Sequence, residues 1–240
     1  MGTITLIKII IFYFFITLTF CQNSPIQIGE KLLFNASFTG INAANASLEV
    51  IQKTIIEKQN VYHIKFLAKS TGIINYVFPI NDEINLWLNV ETLLPVKIHE
   101  NIKEGKFKKS QTIIFNHKKG YAIINNDSIK IDTTTQSPYS LFYFFRKQNI
   151  MDFKNKNITL IQNSKTINLE LDIEENENIT VPAGQYTCSR ISPKRKDKKQ
   201  FKNKAEMDIL LSNDIYKYPI KIWLNLKFGS LILELKKIIN

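Results

Sequence analysis

The chain has 240 residues, 44% of them hydrophobic, with a formal net charge of +11 and two cysteines, Cys21 and Cys188. At this length roughly 70% of the unfolded surface is buried on folding, which excludes a miniprotein that depends on disulfide staples. The basic balance permits attraction to anionic membranes or glycans. Only Arg146, Arg190 and Arg195 are arginines, however, and a chain crowded with Lys, Asn and Ile is what an AT-rich genome produces.

Residues 1–21, MGTITLIKIIIFYFFITLTFC, carry one early cation at Lys8, then an uncharged apolar run from Ile9 to Phe20, then polar Gln22-Asn23-Ser24-Pro25. That order of charged, apolar and polar parts is a signal peptide's. Cleavage after Cys21, with Thr19 as the other small residue, removes Lys8 and lowers the net charge by one. Lipidation of Cys21 is an alternative, disfavoured by bulky Phe20 directly before it. Retention as an anchor is a third, although the run is shorter than the ~20 apolar residues of a spanning helix. Export places the mature chain, 22–240, in the periplasm or at the outer membrane as a single domain, where no nucleic acid partner is expected.

After the leader, short runs of Ile, Val, Phe, Tyr and Thr recur between Asn, Asp, Gly and Lys, the signature of many antiparallel strands. Strands are predicted near 28–38, 46–57, 61–68, 84–90, 94–102, 110–116, 158–162, 166–174, 206–212 and 219–236. Val61, His63, Lys65 and Leu67 alternate with Tyr62, Ile64, Phe66 and Ala68, so one face of that strand is apolar. Between Ala122-Ile123-Ile124 and Ile129-Lys130-Ile131, the segment Asn125-Asn126-Asp127-Ser128 suits a hairpin turn with positive φ.

Two segments break the strand pattern. In SPYSLFYFFR, residues 137–146, Tyr139, Phe142, Tyr143 and Arg146 fall on one helical face, while Leu141, Phe144 and Phe145 occupy the rest. Ser137 suits the cap and Pro138 the first helical position. About ten residues cannot span a bilayer, so a short buried helix is predicted, with a continuous strand as the alternative. The second segment, SPKRKDKKQFKNK at 192–204, is expected as an extended, solvated loop because its like charges repel.

No catalytic constellation appears. His63, His99 and His117 lie far apart without a second donor at metal-ligand spacing, so no metal and no cofactor is expected. There is no nucleophile elbow, phosphate loop or His-Glu-x-x-His helix. Neighbouring acids such as Asp82-Glu83 and Glu174-Glu175 point to opposite faces of a strand and cannot act as a pair.

Four motifs stand in order: VPAGQY at 181–186, MDILLSND at 207–214, YPIKI at 218–222 and LKFGS at 226–230. With SLFYFFR at 140–146 and IGEKLLF at 28–34, they resemble the bacterial exported family catalogued as domain of unknown function 3108, over roughly Ile28 to Lys236. A weaker similarity rests on NLWLNVETLLPVKI at 85–98, where Pro95 opens a return strand, on the same theme at 209–222, and on Lys103-Glu104-Gly105-Lys106. These hairpins look like those of the lipoprotein-carrier superfamily, whose curved antiparallel sheets form half-barrels around an apolar cavity.

The expected fold class is therefore mainly β, a strongly curved antiparallel sheet or open half-barrel with the 137–147 helix at its concave face. The expected function is non-enzymatic binding of a lipid, lipoprotein or other hydrophobic moiety, lined by Tyr139, Phe142 and Tyr143, with Arg146 meeting an anionic head group. The alternative is a scaffold that docks on an envelope component, with peripheral membrane contact, through sheet edges or through Lys194, Arg195, Lys196, Lys198 and Lys199.

Overall fold

The computed structural model describes residues 25–154, 156–162, 164–196, 206–226 and 229–240. The expected leader, Cys21 included, and the basic residues Lys198 and Lys199 lie outside the described residues. Among the described residues, fourteen strands form one antiparallel sheet that does not close into a barrel. They are β1 (Lys31–Phe38), β2 (Ile41–Ile56), β3 (Gln59–Ser70), β4 (Asn81–Asn89), β5 (Pro95–Glu104), β6 (Phe107–Asn116), β7 (Tyr121–Ile124) and β8 (Asp127–Lys130), then β9 (Asn157–Gln162), β10 (Lys165–Val181), β11 (Gly184–Arg195), β12 (Glu206–Ser212), β13 (Pro219–Leu226) and β14 (Gly229–Ile239). A one-turn helix α1 (Ile74–Val77) joins β3 to β4, and helix α2 (Ser140–Lys147) with a 3-10 turn (Ile150–Phe153) joins β8 to β9.

The order across the sheet is β8-β7-β6-β5-β4-β3-β2-β1-β14-β13-β12-β11-β10-β9. Two meanders are thus sewn together by the first and last strands, from Lys31↔Ile239 to Phe38↔Leu231. Among the described residues, the connection from β8 to β9 is the longest excursion. Its Gln136 pairs with β9, the amide donating to the Thr159 carbonyl at 2.8 Å and the carbonyl accepting from the Ile161 amide at 2.9 Å. That contact covers an edge that would otherwise present unpaired backbone groups.

Alternation decides which side of each strand is buried. In β4, Asp82, Ile84, Leu86 and Leu88 point inward while Asn81, Glu83, Asn85 and Trp87 do not. Tyr62 and Ile64 of β3 are buried, and Phe66 and Ala68 pack against the same core, as the period of two predicts. Asn125 and Asn126 take φ of 47° and 81°, the hairpin turn expected between β7 and β8.

Two expectations fail in informative ways. The 219–236 run is two strands, and β14 begins at Gly229, whose φ of 141° and lack of a Cβ are both required: a Cβ there would fall 2.3 Å from Thr39 Oγ1. The start of the basic segment is strand, not loop. Ser192, Pro193, Lys194 and Arg195 continue β11, opposite Asp172, Leu171, Glu170 and Leu169 of β10. The acids on β10 supply the counter-charge that was missing from the expectation of self-repulsion, with Lys194 Nζ 2.9 Å from Asp172 Oδ2.

Helix α2 begins three residues later than Ser137, yet Ser137 still organises its entry. The Ser137 hydroxyl accepts from the Ser140 amide at 3.0 Å, while the Ser137 amide donates to Ser140 Oγ at 2.8 Å. This reciprocal pair satisfies donors that a helix start leaves open.

Asp82 is an inward-facing acid. Burial, and then its neighbour Glu104, push its carboxyl up to about 6, against a hydrogen bond from the Lys103 amide at 2.8 Å that lowers it. Because the folded pKa lies above the unfolded 3.8, the native state holds the proton more tightly, so this group's contribution falls as pH rises from about 4 to about 6. Asp82→Asn keeps the oxygen acceptor and removes the titration. Urea denaturation at pH 4, 5, 6 and 7 is therefore expected to show the wild type losing stability relative to Asp82→Asn across that window and no further above it.

Candidate functional site

Helix α2 packs its side chains into both hydrophobic cores of the sheet. Leu141 and Phe145, one turn apart, pack with Ile158, Leu160, Leu169, Leu171, Ile191, Ile209 and Leu211 of the second meander. Tyr143 and Tyr139 join the other cluster, which runs from Leu32, Ile64, Leu86 and Ile98 to Leu210, Ile220 and Leu235. Helix α2 therefore belongs to both halves. Phe142, expected on the Tyr143 face, instead packs partly against the second cluster.

Arg146 lies in the last turn of this helix and is 2% exposed. Its guanidinium makes a two-pronged contact with Glu30, Nη1 to Oε1 at 2.5 Å and Nη2 to Oε2 at 2.6 Å. Nη2 also donates to the Pro25 carbonyl at 2.6 Å, and Nε to the Tyr216 carbonyl at 2.9 Å. The Tyr143 and Tyr218 rings lie 5.4 Å and 5.1 Å from the guanidinium carbon, close enough for cation–π attraction. Burial opposes the charge, but the Glu30 hydrogen bonds and charge outweigh it and raise the Arg146 pKa. Burial likewise pushes the Tyr143 phenol above its usual range, and its hydroxyl has no hydrogen-bond partner. The anion that the sequence demanded for Arg146 is thus supplied by the chain itself.

A concavity lies elsewhere, over β10 to β14. Ile179, Leu210, Trp223 and Ile232 supply apolar surface and Glu177, Arg190, Asp208 and Lys221 supply charge, around a volume of about 300 Å³. Register explains the set: Arg190, Leu210, Lys221 and Glu234 lie side by side across the strands, and so do Asp208, Trp223 and Ile232. The charges pair with each other. Arg190 holds Glu177 through Nε at 2.7 Å and Nη2 at 2.5 Å and reaches Asp208 at 3.4 Å, while Lys221 meets Glu234 at 2.8 Å. Ser192 also donates to Asp208.

The family described as protein of unknown function (DUF3108) matches residues 33–236. The chain belongs to this family. A comparison with curated proteins finds no match. Among solved structures, a β-barrel-like protein of domain of unknown function DUF1849 from Brucella abortus aligns at a TM-score of 0.54 and 8% identity, over 88% of this chain and 97% of that one. A protein described as exported, with a YmcC-like fold, from Bacteroides fragilis aligns at 0.37 and 9% identity, over 90% and 98%. One described as a lipoprotein, from Parabacteroides distasonis, aligns at 0.39 and 9%, over 89% and 96%. The first of these supports a shared barrel-like fold and nothing finer.

Three of the motifs that carry the DUF3108 resemblance, at 28–34, 207–214 and 218–222, build the socket for Arg146. In Leu211-Ser212-Asn213-Asp214, Asp214 Oδ1 accepts from the Tyr216 and Lys217 amides at 2.9 Å and from Ser212 Oγ at 3.0 Å. Ser212 Oγ accepts in turn from the Tyr218 amide at 2.8 Å. This turn fixes the Tyr216 carbonyl and the Tyr218 ring against the guanidinium. Ala183, at the tip of the β10–β11 hairpin, donates its amide to the Leu235 carbonyl at 3.0 Å and curls that hairpin over β14.

Of the expected site residues, Tyr143 and Arg146 are core, and Tyr139 and Phe142 are partly buried beside them. Lys194 pairs with Asp172, and Lys196 continues the backbone pairing through its amide to the Asn168 carbonyl at 3.0 Å. Arg195 sits in β11 opposite Leu169. None of the residues around the concavity was expected as a site residue, although Asp208, Leu210 and Lys221 fall within the motifs at 207–214 and 218–222, because the set is gathered from five strands. Removing one partner of a buried pair strands the other's charge, so Arg146→Met is expected to lower unfolding stability by about 3–5 kcal/mol in urea titrations. Combining it with Glu30→Gln should recover a large part of that loss.

Proposed function

We propose that this member of the DUF3108 family is an exported, non-enzymatic envelope protein that binds a hydrophobic moiety in the concavity over β10–β14. The observation that carries the reading is the pairing of apolar surface, Ile179, Leu210, Trp223 and Ile232, with charges of both signs. Its volume, about 300 Å³, is at the lower end of ligand pockets, so it suits the end of an acyl chain or a lipidated segment with a small polar head. The charged groups hold one another in ion pairs, an arrangement that favours orientation of a ligand over proton transfer. The N-terminal pattern of cation, apolar run and polar flank supports export. Among the described residues no helix is long and apolar enough to cross a membrane.

The chain has two tryptophans, Trp87 and Trp223, so a Trp87→Phe protein reports from the concavity alone. Titration with dodecylphosphocholine below its micelle concentration is expected to give a saturable blue shift of Trp223 emission. Ile179→Ser and Ile232→Ser, both at half-buried positions, should weaken binding about tenfold each through lost apolar contact. A linear, unsaturable response, or full affinity in both variants, would refute the reading.

A further inference from the structure

Four large hydrophobic residues within one six-residue stretch are exposed at one end of the first meander: Ile73 (72%), Tyr76 (87%), Val77 (76%) and Phe78 (49%). They belong to the β3–β4 connection, whose helix α1 buries none of its residues. Single exposed apolar residues are ordinary, but a cluster of this kind marks a contact surface.

The connection is held in place rather than left loose. Ser70 clamps its base, donating from its amide to the Ile80 carbonyl at 3.0 Å, accepting the Ile80 amide at 2.9 Å on its hydroxyl, and donating that hydroxyl to Asn75 Oδ1 at 2.8 Å. The Pro79 carbonyl accepts the Gly105 amide of the β5–β6 turn at 2.8 Å. The Phe78 ring lies so close over Gly105 that a Cβ there would fall 2.8 Å from its Cε2, and Gly105 has φ of 56°. The two turns therefore form one surface, to which Phe107, 54% exposed, adds a fifth apolar residue.

Cations surround it. Lys69 at the end of β3 and Lys103, Lys106 and Lys108 at the β5–β6 turn are exposed, whereas the acids at this end, Asp82 and Glu104, are buried and half-buried. Aromatic and aliphatic side chains on projecting turns, ringed by lysines, match an anionic lipid surface: the rings enter the interface and the ammonium groups meet phosphate. We infer that the β3–β4 connection and the β5–β6 turn dock this protein on the surface of an anionic bilayer. This surface is separate from the concavity over β10–β14 and does not depend on it.

The test uses the chain from Gln22 onward, which keeps every strand and the Pro25 carbonyl that Arg146 holds and lacks the apolar run that would bind lipid by itself. Sedimentation with vesicles of phosphatidylglycerol and phosphatidylcholine is expected to show binding that falls with added salt and is lost on pure phosphatidylcholine. Lys106→Ser with Lys108→Ser should weaken it about thirtyfold, from about one kcal/mol per lysine near such a surface. Tyr76→Ser with Val77→Ser should weaken it about tenfold or more. Both pairs are exposed, so circular dichroism and the Trp223 response should be unchanged. Absence of wild-type binding, or equal binding by the variants, would overturn the inference. So would a photo-crosslinker at position 76 that captures a protein in cells while vesicles remain unbound.

Discussion

A guanidinium buried at the end of an apolar helix sets the terms for the rest of this molecule. Arg146 must be neutralised where it lies, because an unpaired charge inside a protein costs several kcal/mol. Glu30 neutralises it, two backbone carbonyls take further donors, and two tyrosine rings cover the remaining faces. Each partner comes from a different part of the chain: Pro25 and Glu30 from the segment before β1, Tyr143 from α2, and Tyr216 and Tyr218 from the β12–β13 turn. One side chain therefore ties the N-terminal segment and the second meander to the helix that packs into both cores. The contact with Pro25 also sets a bound on processing: cleavage after Cys21 leaves it intact, whereas removal of Pro25 takes away one of the carbonyls.

With α2 packed into both cores, the two surfaces proposed for ligand and bilayer lie away from the helix. One is the concavity over β10–β14, where the register of five strands brings apolar and charged residues together. The other is the end of the first meander, where two turns carry apolar side chains outward among lysines. The sheet supplies stiffness to both, since the strands beneath them are paired on both sides.

Much of the architecture was legible in the sequence, because alternation along a strand is a local property. The faces of β3, the Asn125-Asn126 turn and the short buried helix follow from neighbouring residues alone. The basic segment was harder, since the acids that offset Lys194 and its neighbours lie across the ladder on β10. Arg146 shows the same limit: the sequence called for an anion but could not show that it stood 116 positions away at Glu30. The concavity was illegible for a related reason, its residues being gathered by pairing between strands and by a hairpin tip that rests on β14. The exposed run at 73–78 is itself local, but only the fold shows that it stays uncovered.

If Arg146 and α2 fasten the two meanders together, the sheet must open as a unit. Native-state hydrogen exchange across a urea series measures this directly. The account predicts that the amides of Ile64, Leu86 and Ile98 in the first meander and of Ile191 and Ile209 in the second converge on one opening free energy and one urea slope. Exchange of the second meander through a separate, lower-energy opening, with the first still protected, would contradict it.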